Sequence, residues 1–84
     1  MKIVHASKFE RSFKKLTIFL VEKTIERTII FEKNPFDPRL DTHKLHGKLK
    51  TKWSFLVDGK NRVLFEFDKK DVIFLDVGDH NLYR

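Results

Sequence analysis

Hydrophobic positions recur every three or four residues in the first part of this chain and every two in the last part. Phe9, Phe13, Leu16 and Leu20 follow one another at helical spacing. Ile18, Val21, Ile25 and Ile29 form a second stripe, with Glu22, Lys23, Glu26 and Arg27 on the opposite face. The pattern predicts two consecutive helices, over residues 7–15 and 17–33, with a bend near Leu16-Thr17. Ser7-Lys8-Phe9-Glu10 fits a capping box, in which the Ser7 hydroxyl accepts from the Glu10 amide and the Glu10 carboxylate returns to Ser7. The second helix should stop before Asn34-Pro35-Phe36-Asp37-Pro38, because proline lacks a donor and disfavours helix just upstream.

From Trp53 the period is two. Trp53, Phe55 and Val57 share one face of a strand, and Asp58-Gly59-Lys60-Asn61 reads as a turn. Val63, Phe65 and Phe67 share a face of the next strand, against Arg62, Leu64 and Glu66. Asp68-Lys69-Lys70-Asp71 is a polar turn, and Val72 to Val77 makes the last strand. Lys2 to Ala6 alternates enough for a first strand, which can add at an edge of the resulting meander. The expected fold class is therefore α+β: two N-terminal helices packed on a small antiparallel sheet, in the order β-α-α-β-β-β, as a single domain over 1–84.

Composition narrows the setting. The chain has 84 residues, nine phenylalanines and no cysteine, so it is expected to fold without disulfides or thiolate metal sites, in a reducing cytoplasm. Its apolar runs are far shorter than the roughly 20 residues of a membrane span, so no membrane partner is expected. Net charge is +6, which favours a polyanionic partner. The charge is concentrated: seven Lys/Arg against two acids lie between Arg39 and Arg62, and His43 to Lys52 holds four lysines, two histidines and no acid. Lys44, Lys48, Lys50 and Lys52 are candidate phosphate contacts, which contribute affinity and salt dependence without base preference. His43, His46 and His80 match no standard zinc spacing, so no metal or other cofactor is expected.

The tail Gly78-Asp79-His80-Asn81-Leu82-Tyr83-Arg84 brings an imidazole, a phenol and a guanidinium close behind the last strand. Arg62 begins the strand before it. In an antiparallel pair the start of one strand lies near the end of the next, so Arg62 and His80 should converge. Cleavage of RNA by its 2′-hydroxyl needs a base, an acid for the 5′-oxygen and a cation facing the phosphorane. His80 suits the proton transfers and Arg62 the developing charge. Tyr83 can stack on a base or hydrogen-bond the phosphate, and Arg84 can neutralise one. Asp79 either orients His80 or faces solvent.

These features, in this order, resemble the RelE/ParE superfamily of toxin–antitoxin toxins, particularly its RelE/StbE and YafQ-like branch. The segment His43-Lys44-Leu45-His46-Gly47 follows two helices, Trp53 opens a strand, Arg62 to Glu66 reads Arg-Val-Leu-Phe-Glu, and the last strand runs into Gly-x-His-x-x-Tyr. The resemblance implies a microRNase fold and a metal-independent mRNA endoribonuclease that inhibits translation, usually on the ribosome, and is neutralised by a cognate antitoxin. By position, His80 would be the catalytic basic group, Tyr83 the C-terminal aromatic, Arg62 the phosphate-contacting arginine and His43 the loop histidine of YafQ-like members. His46, Lys48, Lys50 and Lys52 would meet ribosomal RNA or mRNA. Trp53-Ser54-Phe55-Leu56 lacks the lysines or the histidine that the two branches place there, so neither supplies the acid–base pair. Two other readings share these residues: a ParE-like gyrase inhibitor, and a basic RNA-binding module without catalysis.

Overall fold

A computed structural model describes residues 1–83. Strand β1 (Ile3–His5) leads into helices α1 (Ser7–Lys14) and α2 (Ile18–Lys33). Four further strands follow: β2 (His43–Lys44), β3 (Trp53–Leu56), β4 (Arg62–Asp68) and β5 (Asp71–Gly78). They form one five-stranded sheet in the order β1-β5-β4-β3-β2. β1 runs parallel to β5 at one edge, and every other pairing is antiparallel. The meander and edge strand expected from the alternation are thus present. The sheet gains one strand that the pattern does not reveal, because His43 and Lys44 pair with Ser54 and Trp53 at the other edge. Two residues are too few to show a period.

The helix boundaries follow the pattern, but one cap does not. Ser7 is already the first helical residue of α1, the capping position falls on Ala6, and no side chain caps it. The expected capping box is therefore absent: a hydroxyl inside the first turn cannot reach the amide it would have to satisfy. Thr17 does cap α2, its Oγ1 accepting from the Leu20 amide at 3.3 Å. Asn34 follows the last turn of α2 in an extended conformation, as the prolines require.

The two apolar stripes have opposite fates. Phe9, Phe13, Leu16 and Leu20 pack on the sheet, and α2 continues that face through Thr24 and Phe31, which are fully or almost fully buried. The Thr24 hydroxyl donates to the Leu20 carbonyl at 2.7 Å, so its burial leaves no orphaned donor. The second stripe points outward, with Ile18, Ile25 and Ile29 at 75%, 50% and 51% exposure. Only one side of α2 can meet the sheet. The side bearing Phe31 wins because that ring contacts Phe55, Phe65 and Phe74 at centroid distances of 4.9, 4.9 and 5.6 Å. Aromatic contacts of this kind add about 0.5–1.5 kcal/mol each beyond the area they bury.

A β-bulge decides which residues of β5 reach that core. Val63 pairs with Val77 and Leu64 with Asp76, but Phe65 pairs with Phe74, so Leu75 is an extra residue. Simple alternation from Val72 and Phe74 would turn Asp76 inward. The extra residue shifts the parity, so Val77 joins Val72 and Phe74 against the helices. It also places Gly78 directly across from Arg62, on the sheet face turned away from the helices. Among the described residues, no helix is long and apolar enough to cross a membrane.

Candidate active site

The face opposite the helices carries Ser54 and Arg62 by alternation, and His43 shares it through its pairing with Ser54. Arg62 is held from several directions. Its Nε donates to Ser54 Oγ at 2.8 Å, and its Nη2 donates to the Asp41 carbonyl at 2.7 Å. Nη1 lies 3.4 Å from Asp41 Oδ2, and Nη2 lies 3.3 Å from His43 Nδ1. Among the described residues, four of the five guanidinium donors find partners, and one N–H on Nη1 is left for a ligand. Asp41 can turn its carbonyl inward because it adopts a left-handed conformation, with φ of 46°, which aspartate tolerates better than most residues. The turn Pro38–Leu40 just before it is anchored by the fully buried Leu40.

His43 and Arg62 share a proton-dependent contact. His43 Nδ1 is also 3.1 Å from the Asp41 carbonyl. Unprotonated, Nδ1 accepts from Arg62; protonated, it must donate to that carbonyl and face a cation instead. The two contacts ask opposite things of Nδ1: a bare nitrogen accepts from Arg62, and an N–H donates to the Asp41 carbonyl.

The C-terminal group is built on two carboxylate-pinned turns. After β5, Asp79 Oδ1 accepts from both the Asn81 amide and the Asn81 side chain, each at 3.0 Å, and the chain winds through a 3₁₀ turn over His80–Tyr83. The Asn81 amide is the main reason the Asp79 carboxyl titrates below its ordinary value. Asp79 thus shapes the turn that displays His80; it neither bonds the imidazole nor simply faces solvent. Leu82, which is buried, seats the turn against the body. On the β3–β4 side, Asp58 Oδ1 accepts from the amides of Lys60 and Asn61 and from the Asn61 side chain, at 3.1, 2.9 and 3.0 Å. Burial pushes the Asp58 carboxyl up, and these hydrogen bonds outweigh it, so the net shift is downward.

These turns meet. Lys60, Arg62, Asp79, His80 and Tyr83 line one recess of about 230 Å³. Arg62, His80 and Tyr83 therefore converge, and His43 attaches through Arg62. The basic loop is placed elsewhere. Lys44, His46 and Lys50 line a different recess with Trp53 and Phe67, while Lys48 lies exposed in the 3₁₀ turn Gly47–Leu49. Lys52 lies 3.8 Å from Glu66, which offsets part of its charge. Arg84 falls outside the described residues. Among the described residues, no three His, Asp or Glu side chains gather to hold a metal ion.

Three residues of the site were not picked out in the sequence. Lys60 lines the recess, and its position in the turn two residues before Arg62 was a usable signal. Asp41 and Ser54 orient Arg62, and no local pattern marks them.

No protein-family model matches the sequence, and neither does any curated protein. Solved structures do match. The YafQ structure from E. coli strain BL21(DE3) superposes with a TM-score of 0.81 over 98% of this chain and 96% of that one, at 15% identity. The RelBE2 toxin–antitoxin complex from Mycobacterium tuberculosis matches with a TM-score of 0.78 over 94% and 96%, at 20% identity. The YoeB/ParE toxin from Agrobacterium tumefaciens gives 0.78 over 95% and 99%, at 16% identity. The chain has the RelE/ParE toxin fold over essentially its whole length.

Proposed function

We propose that this protein is the toxin of a toxin–antitoxin pair, a cytoplasmic endoribonuclease that cuts mRNA, engages it on the ribosome and so inhibits translation. The observation that carries this reading is the recess where Arg62, Lys60, His80 and Tyr83 surround a space of about 230 Å³. The reaction is an internal transesterification: the 2′-oxygen attacks phosphorus, the bond to the 5′-oxygen breaks, one proton leaves the 2′-hydroxyl and one reaches the departing oxygen. Arg62, held rigid with one donor spare, and Lys60 meet the charge that grows on the phosphorane, so no metal is called for. Among the described residues, Arg62 and Lys60 form no ion pair tight enough to cancel them: Arg62 meets Asp41 at 3.4 Å with the carboxylate largely exposed, and such exposed pairs are weak. His80, exposed at the mouth, moves a proton at the 2′- or the 5′-oxygen. Tyr83 offers its ring to a base or its hydroxyl to a phosphate oxygen, and His43 stands behind Arg62.

An antitoxin partner fits the other side of the molecule. The outward stripe of α2 and α1 enclose a groove of about 350 Å³ that includes Phe9, Phe13, Ile25 and Ile29. A soluble monomer gains nothing from leaving such a surface uncovered.

His80→Ala is expected to lower mRNA cleavage by on the order of 10²-fold or more while leaving ribosome affinity unchanged. Cut sites mapped on an mRNA with and without ribosomes measure the first, and co-sedimentation measures the second. Undiminished cleavage by the variant would remove His80 from the chemistry. Gyrase-dependent DNA breaks without mRNA cuts would replace the nuclease with a gyrase inhibitor.

A further inference from the structure

The basic loop and the first residue of β3 build a second recess, separate from the one at His80. Its volume is about 500 Å³, and its walls include Trp53, Phe67, Leu45, Lys44, His46 and Lys50. The aromatic side is firmly set. Trp53 meets Phe67 edge-on at a centroid distance of 5.4 Å and Phe36 at 5.6 Å. The cationic side is ordered too: the Leu45 amide donates to the Lys52 carbonyl at 2.9 Å, and the Lys52 amide to the Leu49 carbonyl at 2.8 Å, closing the loop on itself. No carboxylate among the described residues lines the recess. Among the described residues, Lys44 and Lys50 form no ion pair.

An aromatic surface flanked by unneutralised ammonium groups suits a flat ring that carries a phosphate. We propose that this recess holds an unpaired nucleobase of the bound RNA, stacked on Trp53, with Lys44 and Lys50 on the adjoining phosphates. The inference rests on the RNA reading above and adds to it a base-binding site away from the scissile phosphate.

The geometry of β2 favours nucleic acid over an acidic peptide. His43 and Lys44 are neighbours on the outermost strand, so their side chains point to opposite faces. His43 touches the Arg62 cluster, and Lys44 lines the Trp53 recess. The two sites therefore lie on either side of one exposed edge. A polymer with a phosphate and a flat ring in every unit can round that edge and occupy both.

Trp53 is the only tryptophan in the chain, so its emission reports on the recess alone. The whole protein is titrated with AMP, with ribose 5-phosphate, with a short 2′-O-methyl RNA that cannot be cleaved, and with an acidic peptide. The expected result is saturable quenching by AMP and by the RNA, and none by the ribose phosphate or the peptide. Lys44→Ala/Lys50→Ala, both on the surface, should weaken RNA binding and flatten its salt dependence. Trp53→Leu should weaken binding of end-labelled RNA by roughly tenfold. Quenching by ribose 5-phosphate or by the peptide as strong as that by AMP, or no quenching by the RNA, overturns the proposal. The nuclease reading is scored separately. Cleavage of unmodified mRNA with a silent Trp53 sinks the recess alone, whereas quenching by the 2′-O-methyl RNA in a protein that cuts no unmodified mRNA, with or without ribosomes, supports the recess and sinks the nuclease.

Discussion

Arg62 shows why the charged residues of this site are not interchangeable. Its side chain is only 16% exposed and is positioned by a hydroxyl, a carbonyl and a carboxylate, two of them from Asp41. A lysine could not reproduce three divergent contacts with one ammonium. Asp41 has two separable duties: its left-handed backbone aims the carbonyl, and its carboxylate meets Nη1. Asp41→Asn keeps the first, because asparagine also tolerates φ of 46°, and loses only the exposed ion pair. Asp41→Ala loses the carboxylate and strains the turn by roughly 1–2 kcal/mol. Cleavage and thermal stability should thus be near wild type for Asp41→Asn and clearly reduced for Asp41→Ala. Equal losses in the two variants would mean that the carboxylate, not the backbone, places Arg62. At this scale Arg62 and His80 were legible because register follows from a hairpin. Asp41 and Ser54 were not, since they act through contacts 21 and 8 residues away in sequence.

Local signals placed the helices and most strands but could not choose their faces where two signals competed. In α2 both stripes have helical spacing, and only the tertiary contacts of Phe31 choose between them. In β5 the bulge at Leu75 breaks a parity that alternation takes for granted. The capping box failed for a different reason: Ser7 has the right chemistry, one residue inside the helix. This makes a direct test possible. Thr17→Ala removes a cap whose hydroxyl accepts from the Leu20 amide, and should cost about 1 kcal/mol. Ser7→Ala removes a hydroxyl that caps nothing, and should change stability by less than about 0.5 kcal/mol. Urea unfolding of the two variants distinguishes them, and the reverse order would restore Ser7 as the cap of α1.

Across the whole molecule, the core and the site are held by different physics. The core is a cluster of phenylalanines and valines between helices and sheet, indifferent to pH. The loops that carry the site are pinned by carboxylates: Asp58 under Lys60, Asp79 under His80, and Asp37 just before the turn that leads to Asp41. The Asp37 carboxyl is lowered from 3.8 to about 2, chiefly by the hydrogen bond from the Arg39 side chain, and those of Asp58 and Asp79 are lowered as well. A carboxyl depressed in the folded state adds stability that is complete above its unfolded value. That contribution fades as pH falls through the folded value. Acid should therefore loosen the loops first, in a window that opens below pH 3.8 and for Asp37 extends to about 2. Backbone resonances of 58–61 and 79–82 are expected to shift or broaden in that window while far-UV circular dichroism, which follows α1, α2 and the sheet, still reads as native. Simultaneous loss of both signals, or loops that hold unchanged to pH 2, would show that the carboxylates do not pin the site independently of the core.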